Sequence, residues 1–179
     1  LSGNWYNQGT LNPGTSTVTL NGTNQTINGS TTFYNLSNTN DGGDTLTFHA
    51  GDTFTIASGG TLTLSGSSHA SRLTVQSDDT AVTQFNISHT DVPTTSNVDV
   101  EYVVLTDSYN SGGNGDMIAV YSVDNGLNNF WKFGGTFIWT GGGIDTNWST
   151  PENWDIGTVP GTAADVLFDG TTGADPTKD

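Results

Sequence analysis

A chain of 179 residues is long enough for one domain or one and a fraction. Eighteen acids against three bases leave a net charge of −15, a surface that repels nucleic acid and anionic lipid and excludes both as expected partners. The absence of cysteine excludes a disulfide framework and thiolate zinc sites, and no run approaches the ~20 apolar residues of a membrane helix.

Thr, Gly, Asn, Ser and Asp dominate, which starves helices and feeds strands and turns. Only 32% of the chain is hydrophobic, but the apolar residues alternate regularly with polar ones, which argues for order. All the acids except Glu101 and Glu152 are Asp, the turn-forming acid, so most of the charge is expected in loops. The sequence opens on Leu1 and carries no signal-peptide pattern, as expected of a mature product or a piece of something longer.

Taken in chain order, residues 4–7, 17–20 and 25–27 read as short strands, separated by the turn signals Asn12-Pro13-Gly14 and Asn21-Gly22. Residues 33–36, 45–48 and 54–57 form a second group, and 61–64, 72–75 and 83–87 a third. Residues 98–105, 117–123 and 130–133 form a fourth. The alternation is clearest between Asp44 and Val75, where one set of side chains points to a core and Thr or Ser points outward. First strands begin near residues 4, 33, 61 and 99, at spacings of roughly 29, 28 and 38 residues, the interval of a solenoid repeat. The pattern predicts an all-β parallel β-helix of about four coils with three strands each; loops at 90–97 and 107–116 absorb the extra length of the last. An antiparallel β-sandwich is the competing fold.

After Phe133 the pattern changes. Phe137-Ile138-Trp139-Thr140-Gly141-Gly142-Gly143 precedes Asn147-Trp148-Ser149-Thr150-Pro151-Glu152-Asn153-Trp154, then Val159-Pro160-Gly161 and Asp165-Val166-Leu167-Phe168-Asp169-Gly170. This order resembles the opening segment of repeated modules in very large secreted bacterial surface proteins, related to β-helices of the autotransporter and haemagglutinin type. Gly3-Asn4-Trp5, Val18-Thr19-Leu20-Asn21-Gly22, Thr26-Ile27-Asn28-Gly29 and Phe33-Tyr34-Asn35-Leu36 resemble the early coils of such a module. Ser122-Val123-Asp124-Asn125-Gly126 with Phe130-Trp131-Lys132-Phe133 resembles its closing turn. The resemblance implies a right-handed parallel β-helix over residues 1–134. It implies a module-opening segment, end cap or docking segment over 135–179. It further implies a secreted or cell-surface location, neighbouring modules or further copies end to end as partners, and no catalytic residues.

Several side chains merit weighing for chemistry. His49, His69 and His89 lie 20 residues apart, but coils longer than that put them on different faces, and they read as exposed loop histidines. Asp99 and Glu101 share one face of a strand, about 7 Å apart by strand rise, a separation compatible with glycosidase carboxylates. The plainer reading is a solvent face opposite Val98 and Val100. Arg72 and Lys132 are isolated, which counts against lyase chemistry. Calcium is the metal the turns would suit: Asp41 and Asp44 sit in one Gly/Asp loop and Asp116 in another, where plain turn chemistry is the alternative. Trp5, Trp148 and Trp154 could stack on sugar rings or cap the ends of the core. Three functions follow in order: a structural or adhesive module, a carbohydrate-binding module on those tryptophans, and a β-helix glycosidase using Asp99 and Glu101.

Overall fold

The computed structural model describes residues 1–40, 43–79, 83–155, 157, 159–160 and 165–168. They form sixteen strands and no α-helix. The first eight are β1 (Trp5–Tyr6), β2 (Thr17–Thr19), β3 (Gln25–Asn28), β4 (Thr31–Asn38), β5 (Thr45–Phe48), β6 (Thr53–Ser65), β7 (Leu73–Ser77) and β8 (Phe85–His89). The rest are β9 (Val98–Glu101), β10 (Val103–Leu105), β11 (Ser108–Asn110), β12 (Met117–Val120), β13 (Val123–Asp124), β14 (Trp131–Gly134), β15 (Thr136–Ile138) and β16 (Asp165–Leu167). The chain divides into two compact units, Leu1–Lys132 and Phe133–Asp179.

In the first unit, strands that follow one another in sequence are not partners. One sheet has the order β1-β3-β5-β7-β10-β13, and its successive pairs run parallel. The other contains β2, β4, β6, β8, β9, β11, β12 and β14. Its registered pairs, β2–β4, β4–β6, β6–β8, β6–β9, β8–β11 and β9–β12, are parallel too. The antiparallel sandwich is therefore overturned. Thr53–Ser65 is one long strand that pairs with β4 along one edge and with two strands along the other: Thr53, Phe54, Thr55 and Ile56 pair with β8, and Leu62, Thr63, Leu64 and Ser65 pair with β9. It bends at Gly59 and Gly60. Gly59 lies at φ +76, and a Cβ at Gly60 would sit 1.9 Å from the carbonyl oxygen of Tyr34.

Most strands fall where the alternation predicts, but residues 107–116, expected as a loop, contain β11; the run 98–105 is split at Tyr102 (φ 50) into β9 and β10; 54–57 and 61–64 belong to one strand; and the grouping differs. Residues 4 and 33 do not begin equivalent repeats: Trp5 pairs with Ile27, and Val18 pairs with Leu36. Partners recur at uneven intervals, from Val18 with Leu36 to Leu62 with Val98. Alternation reports which residues face inward, but not which sheet a strand joins, and connections of unequal length hide the period.

Inward positions stack in register. Leu46, Val75 and Leu105 form one ladder, and Leu36, Leu62 and Val98 another; all are buried. Phe48 and Phe85 stack at 4.5 Å and 10°, and Phe54 meets Phe48 edge-on at 4.9 Å. Each such burial stabilises by about 1.5–3 kcal/mol. Gln25, 2% exposed, closes this core near the start of the chain: it donates to the carbonyls of Leu1 and Gly3 and accepts from the Gly22 N–H.

Asp and Asn hold the turns by reaching from one turn to its equivalent in the neighbouring return of the chain. Asp52 accepts from the Gly29 N–H at 2.8 Å and from Ser30 Oγ at 3.1 Å. Asp78 accepts from the Ala50 N–H at 2.7 Å. Asp91 accepts from the Gly59 N–H at 2.7 Å and Ser58 Oγ at 2.8 Å. Asn4 and Asn24 do the same for the N–H groups of Thr26 and Thr45. Such contacts satisfy backbone donors that no strand reaches, and the short Asp side chain suits them better than Glu.

The second unit is organised differently. Strands β15 and β16 pair in parallel, and Trp139 bridges to Trp154 in antiparallel fashion. A short 3-10 turn at Pro151–Asn153 delivers Asn153, which is 0% exposed. Its Oδ1 accepts from the Gly143 N–H at 2.9 Å, and its Nδ2 donates to the carbonyls of Asp145 and Asn147, each at 3.0 Å. Its own carbonyl accepts from Thr140 and Gly141. A Cβ at Gly143 would lie 2.7 Å from Asn153 Oδ1, so the third glycine of the Gly-Gly-Gly run leaves room for this amide.

Candidate functional site

A candidate site lies in the first unit, where β11 leads into the loop from Ser111 to Asp116 and the chain returns through Phe130. These residues frame a cleft of about 210 Å³. Its organiser is Asn110, 3% exposed at the end of β11. Asn110 Nδ2 donates to the Gly115 carbonyl at 2.8 Å and to the Phe130 carbonyl at 3.1 Å, and Oδ1 accepts from the Gly112 N–H at 3.3 Å. One buried amide thus ties together both walls of the cleft.

Phe130 has φ 60, in the left-handed region that residues other than glycine rarely adopt, and the residue is 57% exposed. The Met117 N–H also donates to its carbonyl, at 3.2 Å, so the backbone is fixed from two sides. Tyr109 and Phe130 meet at 5.6 Å and 67°, forming a corner of two aromatic surfaces. Asp116 lines the same cleft, and Lys132 Nζ sits 3.0 Å from its Oδ2. The sequence singles out Asp116 and its Gly/Asp loop, but as a calcium turn; Tyr109 and Phe130 are missed because they are distant along the chain, and their one signal is an aromatic residue placed in the Asn-rich turn before Trp131.

The sequence-predicted residues are distributed as follows. Asp41 lies outside the described residues. Asp44 precedes β5 in the six-stranded sheet, where its carbonyl accepts from the Thr74 N–H, whereas Asp116 precedes β12 in the other sheet and pairs with Lys132. Among the described residues no group of three His, Cys, Asp or Glu side chains is placed to hold a metal ion. Asp99 and Glu101 do share the outward face of β9, opposite buried Val98 and Val100, and Ser65 Oγ donates to Glu101 Oε1 at 3.4 Å.

Trp154 is 2% exposed, with Trp139 at 5.1 Å and Trp148 at 4.7 Å, and its Nε1 donates to the Trp148 carbonyl at 2.9 Å. No ring face of Trp154 is open to a sugar; it fills the second unit's core. Trp148 is half-buried against it. Trp5, in the first unit, is half-buried against Phe33 at 5.3 Å, and its Nε1 donates to Thr31 Oγ1.

The three histidines have three environments: His49 lies at a turn with its side chain 45% exposed, as expected, His69 is half-buried in a turn, and His89 is buried, which overturns the expectation for it. His89 is 1% exposed. The Asp91 N–H donates to its Nδ1 at 3.0 Å, so the ring proton sits on Nε2 and is donated to the Gly60 carbonyl at 3.0 Å. The chain doubles back over the bend of β6 at this point, which buries a residue that composition alone would leave in solvent. His69 packs edge-on against Tyr102 at 5.0 Å, while Tyr102 and Tyr121 stack at 5.2 Å and 16°. Arg72 Nη1 donates to the His69 carbonyl beside them.

His49 Nδ1 meets Asp78 Oδ2 at 2.5 Å. Hydrogen bonding to Asp78 raises the His49 pKa against a small opposing effect of burial. For Asp78 burial pushes the pKa up, but the hydrogen bonds from His49 and the Ala50 N–H outweigh it and leave the group lowered. The Asp91 carboxyl is lowered by its bonds from Gly59 and Ser58. Asp107 goes the other way. It is 1% exposed at φ 56, its Oδ2 has no hydrogen-bond partner, and burial, with the nearby charge of Asp79, raises its pKa.

Comparison with protein-family models, with curated proteins and with solved structures finds no match to this chain.

Proposed function

We propose that this chain is a non-catalytic structural and adhesive module of an extracellular surface protein or fibre, built on a right-handed parallel β-helix. The observation that carries the reading is the in-register ladder. Six strands of one sheet pair in parallel in the order β1-β3-β5-β7-β10-β13, and side-chain caps from Asp52, Asp78 and Asp91 bind each turn to its neighbour. Parallel crossovers are right-handed in the great majority of proteins, which supports the hand. Stacked returns bury a continuous core along an axis, the construction used for spacers and long surfaces. The sheet ends at β1 and β13, and a sheet edge invites pairing with another chain or module.

Light scattering of the full chain across a concentration series, with electron microscopy of the same samples, tests the fibre aspect. The expected outcome is end-to-end association that grows with concentration. A strict monomer at all concentrations would remove the self-assembling version.

A further inference from the structure

We infer that the cleft framed by Tyr109, Phe130 and the loop from Ser111 to Asp116 binds a neutral saccharide, one pyranose ring at a time. The inference stands on this cleft alone and not on the scaffold role proposed above. Three properties of the cleft define the ligand.

The first is its aromatic corner. Phe130 keeps 57% of its surface in solvent while held in a left-handed backbone conformation. Strain of that kind costs about 1–3 kcal/mol and persists only where the surroundings over-determine it. Here the surroundings are the hydrogen bonds from Asn110 and Met117 to its carbonyl. An apolar residue fixed at such a cost with more than half of its surface in solvent is placed to meet a ligand more than to fill the core. With Tyr109 set at 67° to it, the pair offers a floor and a wall to a ligand with a flat C–H face.

The second is charge. The chain as a whole, at −15, repels anions. Locally, Lys132 neutralises Asp116 at 3.0 Å, so a cationic ligand meets no uncompensated carboxylate. What remains in the cleft is acceptor capacity on the Asp116 oxygens, beside the Tyr109 and Ser111 side chains that line it. Vicinal sugar hydroxyls, each both donor and acceptor, satisfy that set without bringing charge.

The third is size and rigidity. About 210 Å³ falls short of the roughly 300–1,000 Å³ of drug-sized pockets and suits a single ring. Asn110 joins both walls before any ligand arrives, which lowers the ordering cost of binding.

The test is saturation-transfer NMR on the full chain with methyl glycosides of glucose, galactose, mannose and N-acetylglucosamine, and with glucosamine and glucuronate as charged comparisons. At least one neutral glycoside should receive transfer and bind in the millimolar range. Asp116→Asn and Phe130→Asn should each weaken it about tenfold or more. Asn tolerates the left-handed backbone, so the second change removes the ring without forcing the turn, and a thermal melt checks folding. Trp148→Phe should leave binding unchanged. The inference is overturned by absence of transfer from every neutral glycoside, by transfer that survives both substitutions in folded protein, or by preference for glucosamine or glucuronate.

Discussion

The two units reach stability by opposite routes. The first spreads its core along ladders such as Leu36–Leu62–Val98, in which each member is supported by the strand on either side. The second gathers around one residue, Asn153, whose amide and carbonyl hold the stretch from Thr140 to Asn147 while Trp139, Trp148 and Trp154 pack beside it. A ladder distributes the loss when one rung is altered; a hub does not. The comparison also explains why the same residue type behaves differently: Asn4 and Asn24 cap exposed backbone at the turns, whereas Asn153 is wholly buried and central.

The largest effect in the first unit is expected at its most aromatic rung. Phe48→Ala should cost about 3–5 kcal/mol in urea unfolding, since Phe54 and Phe85 both lose their packing partner. A cost under about 1 kcal/mol would mean the rings do not pack as described. In the second unit, Asn153→Ala should cost about 2–3 kcal/mol by stranding the Gly143 N–H and two carbonyls. It should also shift tryptophan emission to the red. Unchanged emission from a folded variant would deny Asn153 its central place.

Asp107→Asn is expected to go in the other direction. A buried carboxyl whose pKa is raised holds its proton more readily in the folded state. Its contribution to stability is present at acid pH and is lost as pH rises above the ordinary carboxylate range. Asn keeps the left-handed turn without the charge, so the variant should gain about 1 kcal/mol at pH 7 and nothing near pH 3. Equal melting temperatures at pH 7 would remove the burial argument.

The smallest effect is at the surface, where His49 and Asp78 meet. The raised His49 pKa gives stability that is complete below its ordinary value near 6.5 and lost as pH climbs through the raised one. The lowered Asp78 pKa gives stability that is complete above about 4 and lost as pH falls through the lowered one. The pair therefore contributes most between about pH 4 and 6.5, and His49→Gln should flatten that part of the melting profile only slightly, because both groups are more than a third exposed. A large change would show that the turn at Ala50 depends on the pair.

Much of the fold is legible in the sequence. Period-two alternation marks β5, both halves of β6, and β7, and Asp in the turns is as expected. Pairing is not legible, because the Thr-rich outer face looks alike in every strand and gives no mark of which strand lies beside which. The tryptophans mislead for a related reason: polar neighbours in sequence suggest exposure, yet Trp154 is covered by aromatic residues that local polarity does not report. The cleft at Tyr109 and Phe130 is hidden because a left-handed backbone at Phe130 carries no sequence signature, unlike the glycines that usually occupy such positions.

The bend of β6 leaves β9 in register with Leu62 and Leu64 although residues 90–97 intervene after β8, while only residues 111–116 intervene between β11 and β12. Connections of different length thus end on the same sheet without disturbing the rungs beneath. A foreign peptide spliced into the 90–97 connection would be exhibited on a stiff shelf, provided that the turn in which the Asn97 and Val98 N–H groups donate to the Thr94 carbonyl is kept.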